Sequence, residues 1–153
     1  PNYFTTDYLY QKLKSKPVEE RENRFIIQDM YVPHNNCLKF LNQLHDYVEI
    51  YPIWLCPIKT TKEKQYMSPH YTNDCEFMID IGLWGIPKFG FPFNGNLVNR
   101  EIEKFLKENK GKKMNYGKFY YTQEEINELY DIKNFNILRE KYDSKRLKNK
   151  FNI

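Results

Sequence analysis

The sequence of 153 residues has no alanine, only three cysteines and no run of 18 apolar residues. A membrane-spanning helix needs about 20 consecutive apolar residues, so no segment of the chain is expected to cross a membrane. The first residues also lack the basic, apolar and small-residue regions of a secretory signal peptide. These absences predict a cytoplasmic protein.

The few cysteines and histidines give no sign of a disulfide framework or a metal site. Cys37, Cys56 and Cys75 are odd in number and include no Cys-x-x-Cys spacing. The three histidines share no spacing typical of metal ligands. We therefore expect reduced thiols and no bound metal.

The excess of positive charge is small, with 24 Lys and Arg against 20 Asp and Glu. It is concentrated only between Lys145 and Lys150, where no aromatic or glycine-rich element is interleaved. Such a cluster is typical of a solvated tail, and a nucleic-acid interface needs a stronger basic patch. We predict a lead-in segment over residues 1–24, an α+β domain over 25–143 and a basic tail over 144–153, with no nucleic acid as partner.

Two elements are predicted at the start of the domain, after a weakly amphipathic segment from Thr6 to Lys14. Residues 25–32 are β-branched and aromatic and stop at Pro33, which is typical of a strand. Asn35 or Asn36 is predicted to cap the helix that follows. Its apolar residues recur at helical spacing: Leu38, Leu41, Leu44 and Val48.

The run from Tyr51 to Lys59, YPIWLCPIK, predicts a strand because the prolines near its two ends exclude the interior of a helix. In a strand, Ile53 and Leu55 point to one face and Trp54 and Cys56 to the other. A strand that is apolar on both faces is normally covered on both. One cover can come from helices of this chain, so the second must be a partner, another domain or a ligand.

A second apolar strand is predicted over Phe77 to Leu83, after a polar surface loop from Thr60 to Asp74. Asp80 is an unexpected charged residue in this apolar strand, on the same face as Met78 and Gly82. Residues 85–95 contain too many prolines and glycines for regular structure.

The remaining pattern alternates between helix and strand. Asn96 and Gly111 are predicted to cap the two ends of a helix. Residues 112–121 alternate weakly and predict a strand, and Thr122 with Glu125 forms a capping box for a short helix. A last helix is predicted around residues 137–142. The order β-α-β-β-α-β predicts a ferredoxin-like antiparallel sheet with helices on one face, an open second face and short C-terminal helices.

The chain also carries, in this order, the segments IIQDMYVP, CLKFLNQL, YPIWLCPIK, MIDIGLWGIP, REIEKFLKENKGKKMNY and ILREKY. Together they resemble the C-terminal part of the delta-24 sterol reductases and their plant brassinosteroid-synthesis relatives. These are FAD-dependent oxidoreductases of the vanillyl-alcohol-oxidase type. The resemblance extends from about Phe25 to Tyr142. The combination of YPIWLCP, IDIG-x-x-G-x-P, an amphipathic helix and M-x-Y is far more specific than a lone short motif.

The resemblance implies a cap over the substrate of an enzyme that reduces a C=C bond in a sterol side chain. In that family FAD is bound by a domain that precedes this region, and no part of this sequence resembles it. A separate or upstream FAD-binding domain is therefore the implied partner, and a sterol or other lipid the implied ligand. We expect the chain to be inactive alone. The resemblance also implies peripheral association with membranes of the endoplasmic-reticulum type.

The implied reaction assigns roles to four residues. The alkene between C24 and C25 is unactivated, so its reduction by a flavin hydride is expected to need a positioned acid in a dry pocket. Tyr116, in the M-x-Y match, is the expected catalytic acid or orienting hydroxyl. Trp54 and Tyr51 are the expected substrate wall, and Asp80 is expected to orient Tyr116 or a water molecule. Each also has a purely structural interpretation, as packing aromatics or as a carboxylate capping a turn.

A second interpretation belongs to a different functional class. The chain would then be a stand-alone remnant, a truncated homologue without catalysis that binds a protein or lipid, or forms a homodimer, through the open face. RNA binding through the aromatic residues of the sheet is disfavoured by the near balance of charges.

Overall fold

In a computed structural model of the chain, the described residues are 8, 11–12, 14–15, 17–63 and 66–142. The amphipathic segment predicted from Thr6 to Lys14 lies largely outside these residues, and the basic tail predicted over 144–153 lies wholly outside them. The described residues form the following elements: α1 (Val18–Glu22), β1 (Ile26–Pro33), α2 (His34–Tyr47), β2 (Trp54–Lys59), β3 (Phe77–Gly85), α3 (Gly95–Glu108), β4 (Lys112–Lys113), α4 (Gln123–Leu129) and α5 (Ile132–Lys141).

The four strands form one antiparallel sheet in the order β2-β3-β1-β4. β1 and β3 lie at its centre and pair from Ile26 opposite Gly85 to Pro33 opposite Met78. β2 is an edge strand, which explains why it tolerates Pro57, a residue that cannot donate to a strand ladder. The α+β class and the antiparallel sheet are confirmed.

Helices α2 and α3 cover one face of the sheet and supply the main core. Both helices have apolar residues at helical spacing on the side that meets the sheet, and the strands contribute alternate residues. The buried members are Ile26, Met30, Val32, Phe40, Leu44, Val48, Ile50, Ile81, Leu83, Val98, Ile102 and Leu106. Full burial of one such side chain stabilises the fold by about 1.5–3 kcal/mol, so this cluster fixes the register of β1 against β3.

The start of α2 differs from the prediction. Pro33 ends β1 and directly precedes the helix, which begins at His34 without a side-chain cap. The predicted cap at Asn35 or Asn36 is wrong, because both residues lie within the first turn. Asn36 instead donates from Nδ2 to the backbone oxygen of Asn109, 3.1 Å away, and so connects α2 to the end of α3.

The two ends of α3 also differ from the prediction. Asn94, rather than Asn96, caps the N-terminus, and its side chain accepts a hydrogen bond from the first turn. At the other end Lys110, with φ of 58°, takes the left-handed position predicted for Gly111. Gly111 is needed because the backbone of β1 lies close to it: a Cβ on Gly111 would be 2.8 Å from the carbonyl oxygen of Tyr31.

The strand predicted over residues 112–121 is wrong beyond its first two residues, Lys112 and Lys113. The Nζ of Lys113 donates to Oε1 of Glu103 in α3 at 2.7 Å and to the backbone oxygen of Lys118 at 2.6 Å. The backbone N–H of Tyr120 donates to the same Oε1 at 2.8 Å. The last backbone hydrogen bond to β1 is donated by the N–H of Met114 to the oxygen of Asp29 at 2.9 Å, and beyond it the carboxylate of Glu103 holds the segment against α3.

The segment from Thr60 to Asp74 is not the plain surface loop that was predicted. Thr61 and Tyr71 form a parallel bridge, and Met67 is buried. Met67 packs in a second cluster with Tyr121, Ile126 and Tyr130. The capping box of Thr122 and Glu125, which starts α4 in this cluster, is confirmed. Among the described residues, every helix is too short or too polar to span a lipid bilayer.

Candidate functional site

The face of the sheet opposite α2 and α3, which we call the open face, is covered only at one end. By strand register it carries Ile27, Asp29, Tyr31, Trp54, Cys56, Ile58, Met78, Asp80, Gly82 and Trp84. At one end, Cys75 packs on Tyr31 and Met78, so residues near the end of the 60–76 segment close the face. At the other end, Ile27, Trp54 and Trp84 are about half exposed. A surface of this kind, apolar at its rim, is typical of a binding site.

Two carboxyl groups lie in the middle of the open face. Asp29 stands opposite Gly82 and Asp80 opposite Tyr31, which makes the two aspartates diagonal neighbours. Asp29 is only 4% exposed. Its Oδ2 and the Oδ1 of Asp80 are shut off from solvent, and neither has a hydrogen-bond partner within the described part of the chain.

The environment of these carboxyls favours their protonated forms. Burial, and to a lesser extent the charge of nearby Asp80, together raise the pKa of Asp29 to about 6. Burial also raises the pKa of Asp80. A carboxyl whose pKa approaches neutrality can hold a proton and release it, which is the property of a general acid. Such unpaired buried carboxyls are uncommon in a purely structural role.

Tyr31 lies beside the carboxyls, across from Asp80 on the neighbouring strand. Burial raises its pKa to about 12, with further contributions from Asp80, Asp29 and Cys56. The phenol therefore stays protonated over the physiological range and is a neutral hydrogen-bonding group. Its ring is 6.3 Å from the ring of His70, centroid to centroid, in the segment that closes this end.

Gly82 allows the carboxyl and the two tryptophans to come together. A Cβ on Gly82 would lie 2.8 Å from Oδ1 of Asp29, 3.0 Å from Cβ of Trp54 and 3.1 Å from Cη2 of Trp84. No side chain fits there, so the indole of Trp84 lies over the glycine and next to the carboxyl. Trp54 is 58% exposed and Trp84 47% exposed. The carboxyl pair is thus flanked by two partly exposed aromatic walls.

The structure brings together two of the four predicted site residues. Asp80 and Trp54 both lie on the open face. Tyr51 precedes β2, and its hydroxyl is 2.9 Å from Nδ1 of His45 in α2, on the helix-covered side. Tyr116 lines a cavity at the edge of β1 together with Gln28, with Ile27 of the open face and with Asn99 of α3. The catalytic role of Tyr116 and the substrate roles of the other three remain predictions.

Asp29, Tyr31 and Trp84 are the site residues that the sequence analysis missed. Asp80 was noticed because it interrupts an apolar strand, and Asp29 interrupts IIQDMYV in the same way. The strand period alone could therefore have identified Asp29. Its closeness to Asp80 depends on the pairing of β1 with β3, which no local pattern contains. The described residues include no cluster of three or more histidine, cysteine, aspartate or glutamate residues that could bind a metal.

Comparison with known proteins finds relatives of one kind. The chain is 33% identical to human Delta(24)-sterol reductase over 120 residues, which are 78% of this chain and 23% of that protein. It is 30% identical to the Delta(24)-sterol reductase homolog of Caenorhabditis elegans over 122 residues, which are 79% of this chain and 21% of that protein. It is 30% identical to Delta(24)-sterol reductase of Arabidopsis thaliana over 132 aligned residues, with 76% of this chain and 24% of that protein covered.

No protein-family model matches the chain, and no solved structure matches it. The chain spans less than a quarter of the length of the curated relatives that it matches. The resemblance stated from the sequence motifs is confirmed by these identities. The chain is thus a relative of the Delta(24)-sterol reductases, similar to a segment that makes up less than a quarter of their length.

Proposed function

We propose that this chain forms the substrate-side cap of an FAD-linked reductase that acts on a C=C bond in a sterol side chain. The open face would lie against a separate or upstream flavin domain, with the substrate between them. The observation that supports the proposal is the pair of unpartnered carboxyls, Asp29 and Asp80, on a sheet face that is otherwise apolar and uncovered at one end. The chain alone would then be inactive.

The pair suits the chemistry of an isolated alkene. Reduction adds a hydride to one carbon and a proton to the other, and a flavin held by the partner domain would supply the hydride. The proton comes from an acid on the opposite side of the double bond. Asp29 would be the donor, because it is the more deeply buried carboxyl and its pKa of about 6 lets it release a proton near neutral pH. Trp54 and Trp84 would hold the apolar substrate and exclude water beside the carboxyl.

The open face fits the substrate side of a flavin site and not the phosphate side. Two carboxyls at its centre would repel a pyrophosphate, whereas the exposed indoles provide flat apolar contact for a ring or hydrocarbon. The nucleotide end of FAD would therefore be bound by the partner domain. We also infer that the fold is a shortened ferredoxin-like sheet, since the strand order β2-β3-β1-β4 follows that arrangement while β4 has only two residues.

The proposal is tested with a chimera in which the matched 120 residues of human Delta(24)-sterol reductase are replaced by those of this chain. We expect the chimera to reduce a sterol with a C24–C25 double bond, measured as a gain of two hydrogens by mass spectrometry. In the chimera, Asp80→Asn and Asp29→Asn should each lower turnover by roughly 10²-fold, the lower range for loss of a general acid.

Variants of the aspartates and of Tyr116 show which of these residues donates the proton. Tyr116→Phe should retain turnover if the aspartates supply the proton. Full activity in both aspartate variants combined with loss in Tyr116→Phe would transfer the acid role to Tyr116. Asp46→Asn, which changes an exposed aspartate of α2, is the matched control. An inactive chimera that still folds and binds FAD would contradict the proposed function.

The second candidate, a non-catalytic homodimer, is favoured by β2. This edge strand exposes Trp54 on one face and Leu55, 52% exposed, on the other. Apolar edge strands readily pair with a second copy. If this candidate is right, Leu55→Lys should raise the dissociation constant of a dimer by roughly tenfold, a typical effect for an interface hot spot. Leu38→Lys, at an exposed position of α2, should not. Sedimentation of a monomer at all concentrations would contradict self-association.

A further inference from the structure

An apolar surface at the uncovered end of the sheet continues from the open face onto the segment that follows β3. Ile27 and Trp84 stand opposite each other on β1 and β3, and Ile86 comes directly after the end of β3. Phe89 and Phe91 lie in the irregular segment that connects β3 to α3. These five side chains, which we call the aromatic end, are each 39–51% exposed. Single exposed apolar residues are normal, whereas a group of them at one end of a domain marks an interaction site.

Backbone hydrogen bonds fix the segment that carries the two phenylalanines. The N–H of Lys88 donates to the carbonyl oxygen of Val48, just after α2, at 2.8 Å. The N–H of Phe93 donates to the carbonyl oxygen of Asn23, shortly before β1, at 3.0 Å. Between these two anchors Gly90 has φ of 73°, and a Cβ on it would meet no atom within 4 Å. The chain therefore turns at Gly90 in open space, with one phenylalanine on each side of the turn.

Positive charge borders the rings of the aromatic end. The guanidinium of Arg24 lies over the ring of Phe91, 4.0 Å from its centroid, which places that ring beside the start of β1. Lys88 directly precedes Phe89 in the sequence. Helix α3 begins at Gly95, at the end of the same segment, and has no acidic residue in its first turn. The partial positive charge of its N-terminus therefore adds to the charges of the two cations.

Negative charge is scarce in the same region. The sequence contains no acidic residue from Ile81 to Arg100. Two acids nearby are each paired with a lysine: Glu49 with Lys88 at 3.6 Å, and Glu22 with Lys118 at 2.7 Å. The charge that remains beside the rings is that of Arg24 and of the α3 N-terminus, and it is positive. Such a surface complements an anionic one.

We propose that the aromatic end docks on a lipid bilayer that contains anionic lipids, with its rings among the headgroups and Arg24 and Lys88 against the acidic groups. Aromatic rings bordered by cations are the combination that binds to such an interface. A second copy of the chain suits the surface less well, because two aromatic ends in contact would bring like charges together.

Docking does not depend on the proposed reductase activity, so either proposal can fail without the other. If both hold, a lipid can reach the carboxyls of the open face directly from the bilayer, because Ile27 and Trp84 belong to both surfaces.

The first test measures sedimentation of the full chain with vesicles. One kind contains phosphatidylcholine with about 30% phosphatidylserine, an anionic lipid, and the other contains phosphatidylcholine alone. We expect binding to the mixed vesicles at millimolar lipid, and roughly tenfold weaker binding to phosphatidylcholine alone or in high salt, because salt screens the attraction between charges. No binding to the mixed vesicles, or equal binding to both kinds, would overturn the proposal.

The double variant Phe89→Ser with Phe91→Ser tests which surface docks. Because both rings are half exposed, we expect the variant to fold and its affinity for the mixed vesicles to fall by at least roughly tenfold. The matched control is Leu38→Ser with Ile137→Ser, which removes two exposed apolar side chains of α2 and α5 and should bind like the natural chain. Unchanged binding in the phenylalanine variant, or an equal loss in the control, would contradict the assignment.

Trp84 provides a second readout in which both phenylalanines are kept. The chain has two tryptophans, so in Trp54→Phe the fluorescence comes from Trp84 alone. We expect this fluorescence to be quenched by mixed vesicles whose phosphatidylcholine is brominated near the headgroups. Absence of quenching in vesicle-bound protein would show that a different surface docks. A chain that leaves vesicles unbound, but forms a dimer weakened by the phenylalanine variant, would identify a second copy as the occupant and overturn the proposal.

Discussion

Replacement of Glu103 by glutamine should lower the free energy of unfolding by about 3–5 kcal/mol, the range measured when one partner of a buried ion pair is removed. Glu103 and Lys113 each have side chains only 1% exposed and are 2.7 Å apart, Oε1 to Nζ. Glutamine has no charge to offset the ammonium of Lys113, which would remain buried. The Nζ also donates to the backbone oxygen of Lys118 and lies 5.3 Å from the ring centroid of Phe119, but a neutral carbonyl or ring compensates a buried charge only weakly.

The effect should be local as well as global. Glu103 also accepts from the backbone N–H of Tyr120 and from Arg100, so it connects α3 to the segment that follows β4. We expect faster hydrogen exchange at Tyr120 in Glu103→Gln, measured by NMR, together with the lower stability in urea. Glu101→Gln is the matched control. It breaks an exposed pair with Lys104 on the same helix and should leave the urea midpoint almost unchanged.

A double variant distinguishes the ion pair from simple packing. Glu103→Gln combined with Lys113→Met leaves no buried charge at this point. It should therefore recover most of the stability lost in Glu103→Gln, because a buried pair can be replaced by apolar groups at little cost. Equal or additive losses in the double variant would show that the charge of Lys113 is not the cause.

The same ion pair explains one limit of sequence analysis. Residues 112–121 alternate like a strand, and alternation predicts a full β4. The structure stops β4 at Lys113 because Glu103, ten residues earlier, binds Lys113 and Tyr120. That contact joins a helix to a strand, and it produces no periodic pattern in the sequence. The central strands were predictable because their apolar residues are dense and their ends carry proline or glycine, as at Pro33 and Gly85.

The candidate site was predictable in its parts but not in its arrangement. Asp80 was noticed because a carboxylate is unusual in an apolar strand, and Trp54 because the run YPIWLCPIK is apolar on both faces. The roles of both came from the family resemblance. Tyr116 was chosen from the family resemblance, and the structure places it with Gln28 in a cavity at the edge of β1, which borders the open face at Ile27. Which residues share a surface is decided by strand order and by the early end of β4. Both depend on contacts between distant parts of the chain.

Asp29→Asn should stabilise the folded chain at neutral pH by on the order of 3 kcal/mol, since a pKa shift of one unit corresponds to about 1.4 kcal/mol. The pKa of Asp29 is raised from 3.8 to about 6 by burial and by Asp80. Below about pH 4 the carboxyl is protonated in both the folded and the unfolded chain, and its contribution to stability is fully present. As the pH rises to about 6, the unfolded chain releases its proton first and the folded chain loses this stability.

Asparagine carries no titrating proton, so the variant should lack this part of the pH dependence. Urea unfolding at pH 4, 5, 6 and 7.5 measures it: the natural chain and Asp29→Asn should have similar stability at pH 4 and differ most at pH 7.5. Asp46→Asn, which changes an exposed aspartate, should follow the natural chain throughout. A loss of stability in Asp29→Asn at pH 7.5 would mean that the charge of Asp29 is compensated within the chain. A gain would mean that the free chain carries a buried acid for which it provides no partner, as expected of a group that acts on a substrate.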